Sequence, residues 1–287
     1  MDARYMVFGF QHSGKTTFAA ALWHLVDSQE IPTSLIKGKH AGDFSYLEEM
    51  SQSWSEGYEV ERTKSQQVEN IRVNLVHAPS LSEVALEFDD LSGETFEKAF
   101  STRFCPEKFV ELVKNAEGLL FFMSASRRND SVTILDAVDA EEETSQPDAD
   151  ASDWDPANAP LQVQMVDLLQ CLRRPPFEKP PLKIALMVSA WDLAPAEATN
   201  ASVWLEDRYP LLSQYLRNSK GVRDLRIYGV SAQGGQLSKK SDGPGPDRER
   251  LLAISPPSKR IRIVGPEVAE HDLTRPLLWL AGLEPPN

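Results

Sequence analysis

The chain has 287 residues, of which 41% are hydrophobic, and its formal net charge is −13. Nine carboxylates and no Lys or Arg lie between Asp136 and Asp155, so the rest of the chain carries only −4. A folded part so close to neutral argues against a surface that binds a nucleic-acid backbone, and no apolar run approaches the roughly 18 residues of a membrane span. The two cysteines, Cys105 and Cys171, show no disulfide or metal spacing, and the early strand leaves no room for a signal peptide. We therefore expect a cytoplasmic protein without membrane insertion or nucleic-acid partners.

Hydrophobic periodicity predicts the elements of the first half of the chain. A short apolar run at 5–8 predicts a strand, and apolar residues at helical spacing predict a helix over 16–26. A second helix is predicted over 43–54, followed by a polar loop over 56–67. Strands at 71–76 and 84–88 are joined by a short turn, which predicts an antiparallel hairpin. A helix over 96–115 and a buried strand over 118–123 follow.

The second half alternates in the same way and contains two insertions. Helices are predicted over 161–172, 203–216 and 273–283, with strands at 182–188, 225–230 and 260–264. The acidic stretch at about 130–160 has the composition of a disordered insertion, and 233–258 has that of a flexible one. The whole chain, 1–287, is thus predicted to be one α/β domain. It has a mostly parallel central sheet, one antiparallel edge strand and helices on both faces, with its ligand at the carboxyl ends of the strands.

A phosphate-binding pattern joins the first strand to the first helix. Residues 9–16, GFQHSGKT, match the P-loop pattern in the strand–loop–helix context that it requires. The glycines let backbone amides and the helix N-terminus face phosphate oxygens. We expect Lys15 to reach the β- and γ-phosphates as a catalytic residue, and the Thr16 hydroxyl to bind Mg²⁺. The predicted phosphate-binding residues are Gly9, Gln11, His12, Ser13, Gly14, Lys15, Thr16 and Thr17.

A second motif follows the strand at 84–88. In a strand that ends in Asp and is followed, after two residues, by Gly, the Asp holds the Mg²⁺ shell, usually through water. The backbone amide of the Gly contacts the γ-phosphate. Asp90 and Gly93 have this spacing, and Asp89 is the alternative to Asp90. Glu94 then occupies the position at which a glutamine orients the attacking water in Ras-like proteins. Because a carboxylate accepts from water but cannot donate to it as the glutamine amide does, we expect slow or partner-dependent hydrolysis.

The polar loop at 56–67 contains a candidate for the threonine that closes over Mg²⁺ and the γ-phosphate. Thr63 lies between the first helix and the hairpin, where such a residue belongs, and we assign it to catalysis and to the metal. Its neighbour Arg62 is a weaker candidate for an arginine that reaches the phosphates. The alternative for both residues is an ordinary polar surface loop.

Two segments at strand ends have the features of a base-recognition site. Asp192 follows the strand at 182–188 and can accept hydrogen bonds from guanine N1 and N2 groups that adenine lacks. Ser189 lies three residues before it. Ser231, Ala232 and Gln233 follow the strand at 225–230, where a backbone amide can face the guanine oxygen.

This ordered set of motifs resembles the translation-factor and Ras-related class of P-loop GTPases. Residues 7–17, VFGFQHSGKTT, together with Leu22-Trp23-His24, resemble the double-GTPase group of bacterial conflict systems. The class carries Asn-Lys-x-Asp where this chain has Ser189 and Ala190 before Asp192, so the lysine stem that packs on the base is missing. The resemblance implies a Ras-like fold, GTP/GDP and Mg²⁺ as ligands, and a GTP-hydrolysing switch beside a protein effector or partner GTPase. A nucleotide-dependent dimer is a further alternative.

Two other functions remain open from the residues. One is a P-loop ATPase or small-molecule kinase. A kinase also needs an acceptor site and usually an Arg-rich lid, and the basic pairs Arg127-Arg128 and Arg173-Arg174 are better explained as surface charges. The other is a scaffold that holds GTP for assembly without hydrolysing it, which Glu94 and Ala190 keep open.

Overall fold

The computed structural model describes residues 3–39, 44–60, 71–88, 93–126, 156, 159–195, 198, 200–268 and 270–284. Within these ranges one sheet has the strand order β2-β3-β4-β1-β5-β6-β7-β8. The strands are β1 Ala3–Gly9, β2 Ile36–Lys37, β3 Ile71–His77, β4 Ser82–Phe88, β5 Gly118–Ser124, β6 Leu182–Ser189, β7 Val222–Ser231 and β8 Arg262–Val264.

The strand directions confirm the predicted fold class. Strands β4, β1, β5, β6 and β7 run parallel, and β3 pairs antiparallel with β4 as the predicted hairpin. Two further antiparallel pairings extend the sheet, with β2 on β3 and β8 on β7. All seven residues of β5 are buried, as expected for a strand covered on both faces.

Helices cover both faces of the sheet and bury one apolar cluster on each side. The cluster on one face contains residues of α1, α2 and the C-terminal helix, and the cluster on the other contains residues of the helices between β4 and β7. The helices are α1 Lys15–Ser28, α2 Ser45–Ser55, α3 Glu94–Thr102, α4 Glu107–Asn115, α5 Leu161–Cys171, α6 Ala201–Arg208, α7 Pro210–Asn218, α8 Arg248–Leu252 and α9 Arg275–Leu280.

Two long helices predicted from periodicity are each divided in the structure. The helix predicted over 96–115 ends at Arg103, whose φ is 60°, and α4 begins after Pro106. The helix predicted over 203–216 breaks at Tyr209, before Pro210 at the start of α7. In both places proline lacks the amide that a continuing helix needs and disfavours helical geometry in the residue before it. Periodicity persists through such a break, so it does not reveal the break.

The two predicted insertions have different outcomes. Most of the acidic stretch, residues 127–155 and 157–158, lies outside the described residues. Residues 233–258, predicted to be a flexible insertion, contain a 3₁₀ turn at Lys240–Asp242 and helix α8. They contact the end of α2, where Arg248 donates to the Glu56 carbonyl at 3.0 Å and Lys240 donates to the Glu56 carboxylate at 3.0 Å.

No helix among the described residues is long and apolar enough to cross a membrane.

Candidate nucleotide-binding site

A cavity of about 430 Å³ lies at the carboxyl edge of the sheet, within the size range of small-molecule sites. Five parallel strands end at this edge, and the loops that follow β1, β6 and β7 form its walls. The fold therefore brings the P-loop and both candidate base-recognition segments to one cavity. Its lining includes the predicted residues His12, Ser13, Gly14, Lys15, Thr16, Thr17, Ser189, Asp192, Ala232 and Gln233.

Gly14 begins helix α1 in a conformation that other residues rarely adopt. Its φ is 88°, and a Cβ at this position would lie 2.5 Å from Ser189 Oγ. Glycine is thus required here for both backbone geometry and space. Ser189 is only 6% exposed, and its hydroxyl has no hydrogen-bond partner among the described residues. A buried polar group without a partner is unusual and indicates a place where a ligand or water completes the site.

Lys15 is 2% exposed, and carbonyl oxygens of the P-loop surround its amine. Nζ donates to the Gly9 carbonyl at 2.6 Å and to the Phe10 carbonyl at 2.8 Å. The Ser13 hydroxyl also donates to the Phe10 carbonyl, at 2.7 Å, which closes the loop. These contacts hold a cation at the base of the cavity, where it can exchange carbonyl oxygens for phosphate oxygens.

The oxygen ligands available among the described residues fit a magnesium ion that is held mainly by phosphate oxygens. Mg²⁺ keeps several waters and usually takes only one or two protein oxygens beside those of a nucleotide. The Thr16 side chain lies on the cavity wall, and the described residues contain no group of three or more His, Cys, Asp or Glu side chains that would form a separate metal cage. The other predicted ligands, Thr63 and Asp90, lie outside the described residues, as do Arg62 and Asp89.

Gly93 and Glu94 begin helix α3, which lies against the outside of the P-loop. Gly93 has a φ of 82°, and a Cβ there would lie 2.5 Å from the Gln11 amide nitrogen. Glu94 forms an ion pair with Lys98 at 3.6 Å, and its side chain is 44% exposed. Gln11 and Glu94 line a different cavity beside the loop, so the structure does not bring them together with the residues of the main cavity.

A hydrogen bond joins the two candidate base-recognition segments. Ser231 Oγ donates to Asp192 Oδ1 at 2.5 Å and accepts from the Gly234 amide at 3.2 Å. Asp192 is exposed and lines the cavity, so its other carboxylate oxygen is available to a base. Trp191 beside it packs directly on Gly229, where a Cβ would lie 2.4 Å from the indole.

Trp54 of α2 contacts the loop after β7, a role that is not predicted from the sequence. Its indole Nε1 donates to the Ala232 carbonyl at 2.9 Å, and the side chain is 1% exposed. Arg260 in turn donates to the Ser55 carbonyl at 2.9 Å, and burial lowers the pKa of its guanidinium. The spacing of Leu47, Met50 and Trp54 marks a buried helix face, but no sequence pattern predicts the partner of the indole N–H.

A strand–P-loop–helix unit in this sheet order, with a cavity at the carboxyl ends of the strands, is the architecture of a Ras-like P-loop GTPase. The model of the Double-GTPase 1 family matches residues 6–280, so the chain belongs to this family of GTP-binding proteins. This confirms the resemblance drawn from residues 7–24 and favours a GTPase over the ATPase or kinase alternative.

Two solved structures are similar at low identity. A bacterial selenocysteine-specific elongation factor is 10% identical over 88% of this chain, with a TM-score of 0.35, and the chain spans 28% of that factor's length. The Arl6 small GTPase of Trypanosoma brucei, with a bound nucleotide analogue, is 12% identical over 82% of this chain and 90% of its own, with a TM-score of 0.34. No curated protein matches the sequence.

Proposed function

We propose that this protein is a magnesium-dependent molecular switch that binds GTP, hydrolyses it slowly or with help from a partner, and signals to a protein effector or partner GTPase. One observation carries the proposal. A single cavity joins the P-loop to Asp192 and to the loop of Ala232 and Gln233, so one ligand that has both phosphates and a guanine base can contact all three.

The roles of the residues follow from the cavity. Lys15 and the amides at the start of α1 bind the phosphates, and the Thr16 hydroxyl holds the metal. When bound, Mg²⁺ neutralises charge on the β- and γ-phosphate oxygens. Asp192, held by Ser231, accepts from the guanine N–H groups, and a site built on such hydrogen bonds rejects bases that lack them. We also assign to Gly93 the amide that contacts the γ-phosphate.

The position of Glu94 supports slow hydrolysis. A water-orienting residue has to reach the phosphate end of the nucleotide cavity, whereas Glu94 pairs with Lys98 and lines the separate cavity beside the P-loop. A partner that repositions α3, or that supplies a group of its own, would then raise the rate. Nucleotide-dependent association with a second GTPase is the form of regulation that we propose.

The same observation favours a second candidate, a GTP-binding assembly protein that does not hydrolyse its ligand. Both candidates bind guanine nucleotides, and phosphate release separates them. Under single-turnover conditions, the switch releases phosphate at a measurable rate that Mg²⁺ supports, whereas the assembly protein releases none. Light scattering with GDP and with a non-hydrolysable GTP analogue then tests nucleotide-dependent association.

Nucleotide competition tests the binding site directly. We expect GTP and GDP, but not ATP, to displace a fluorescent GTP analogue, with tighter binding of GTP in the presence of Mg²⁺. Asp192→Asn should lower GTP affinity at least about tenfold, because the amide keeps the acceptor for Ser231 but loses a charged acceptor for the base. Asp242→Asn, a change at an exposed residue, is the matched control. Equal competition by ATP, or an unchanged affinity in Asp192→Asn, would contradict guanine recognition at this site.

A further inference from the structure

Three contacts hold the first turn of helix α3 on the P-loop. Gly93 approaches so closely that a Cβ would lie 2.5 Å from both the Phe10 carbonyl carbon and the Gln11 nitrogen. Phe96 is fully buried, with its ring centroid 4.2 Å from that of Phe8 and 5.9 Å from Lys15 Nζ. The third contact is made by Glu97.

Glu97 is the acidic residue of α3 that contacts the P-loop. One oxygen of its carboxylate accepts from the side-chain Nε2 of Gln11 at 3.0 Å. The other accepts from the backbone amide of Gln11 at 3.4 Å. Glu94, three residues earlier on the helix, pairs with Lys98 at 3.6 Å. Hydrogen bonds to a charged acceptor are stronger than neutral ones, so Glu97 is a strong anchor for the loop.

The contact reaches the loop from outside the nucleotide cavity. Glu97 and Gln11 line a separate cavity of about 420 Å³ between the P-loop, α3 and α5. The lining of that cavity shares no residue with the lining of the nucleotide cavity, where the P-loop contribution begins at His12. Glu97 therefore acts on the nucleotide only through the loop and through the position of α3.

We propose that Glu97 is a positioning residue that holds α3 on the P-loop through Gln11 and so places the Gly93 amide for the terminal phosphate of GTP. This inference rests on the proposed function, because it assigns the γ-phosphate to Gly93. GDP lacks that phosphate and does not need α3 in place. Loss of Glu97 should consequently reduce the preference for the triphosphate and leave diphosphate binding unchanged.

The test compares the affinity for GDP with that for a non-hydrolysable GTP analogue in the full chain with Mg²⁺. In Glu97→Ala we expect the analogue to bind about tenfold more weakly, while GDP affinity stays within about twofold of the unmodified protein. Glu97→Gln should recover most of the loss, because its side-chain carbonyl still accepts from Gln11. Glu111→Ala, which removes an exposed carboxylate from the neighbouring helix α4, is the matched control and should change neither affinity.

Several results would overturn the inference. Equal weakening of both nucleotides in Glu97→Ala would show a general structural role, and unchanged affinities for both would show no role. An effect of Glu111→Ala as large as that of Glu97→Ala would exclude a specific contact. If Glu97→Ala does not fold, Gln11→Ala removes the side-chain bond from the loop side, and an unchanged ratio there is equally contrary. Failure of the unmodified protein to bind either nucleotide would instead overturn the proposed function.

Discussion

The hydroxyl of Ser231 has two partners and fixes two loops at once. It donates to Asp192 after β6 and accepts from the amide of Gly234 after β7. The residue is 2% exposed, so water does not replace either bond when the hydroxyl is removed. Asp192 is thus held by a residue of the neighbouring strand β7.

We expect Ser231→Ala to weaken GTP and GDP binding about five- to tenfold, because Asp192 loses its orientation and the Gly234 amide loses its acceptor. Fluorescent GTP titration with GDP competition measures the effect. Ser241→Ala is the control, since the exposed Ser241 hydroxyl donates only to its neighbour Asp242, at 2.9 Å. Unchanged affinity in Ser231→Ala would show that Asp192 is oriented without this bond.

At the scale of elements, helix α2 and the residues directly after it are hydrogen-bonded to the loop that follows β7. Trp54 donates to the Ala232 carbonyl, and a few residues later the Glu59 amide donates to the Ser238 carbonyl at 2.9 Å. Glu59 and Val60 also line the nucleotide cavity. The segment that precedes residues 61–70 is thus hydrogen-bonded to the loop after β7.

Trp54→Phe should speed the dissociation of GDP about fivefold, because it removes the donor to Ala232 while keeping most of the buried ring. Stopped-flow release of a fluorescent GDP analogue measures the rate. Trp279→Phe is the control for a general loss of stability, since Trp279 on α9 packs with Lys183 and Arg226, neither of which lines the nucleotide cavity. If both variants release GDP equally fast, the Trp54 bond has no specific role.

For the molecule as a whole, Asp272 links the C-terminal segment to the segment between α1 and β2. This residue is 3% exposed and accepts from Ser34 N at 2.8 Å, Ser34 Oγ at 2.7 Å, Thr274 N at 2.9 Å and Thr274 Oγ1 at 2.6 Å. Thr274 Oγ1 accepts in turn from the Leu35 amide at 3.0 Å. The C-terminal segment is thereby tied to the chain between α1 and β2.

Asp272→Ala should lower the free energy of unfolding by about 3 kcal/mol or more, because four donors lose a buried charged acceptor. Urea unfolding measures this change, and GTP affinity at low temperature should remain that of the unmodified protein. Asp242→Ala, at an exposed position, should stay within about 0.5 kcal/mol. A loss below about 1 kcal/mol in Asp272→Ala would show that the C-terminal segment is held mainly by its apolar contacts.

Much of the fold and part of the site are determined by local patterns in the sequence. Strand β5 is predicted by its unbroken apolar run, β3 by alternation, and the loop at 9–16 by a spacing that phosphate geometry imposes. These features depend on residues within one or two turns of each other, so the sequence carries them directly. Apolar periodicity alone does not predict the breaks at Arg103 and Tyr209, because it continues across them, although Pro106 and Pro210 are local signals of a new helix start.

Other features are decided only by the tertiary structure, because they join residues far apart in the chain. The indole N–H of Trp54 meets a carbonyl 178 residues away, and Glu97 meets Gln11 across 86 residues. Nothing local distinguishes Glu97 from Glu94, and only the packing of α3 on the P-loop turns one toward the loop and the other toward Lys98. The sequence thus determined that a phosphate-binding loop exists and where it lies, while the folded sheet decided which distant side chains hold it in place.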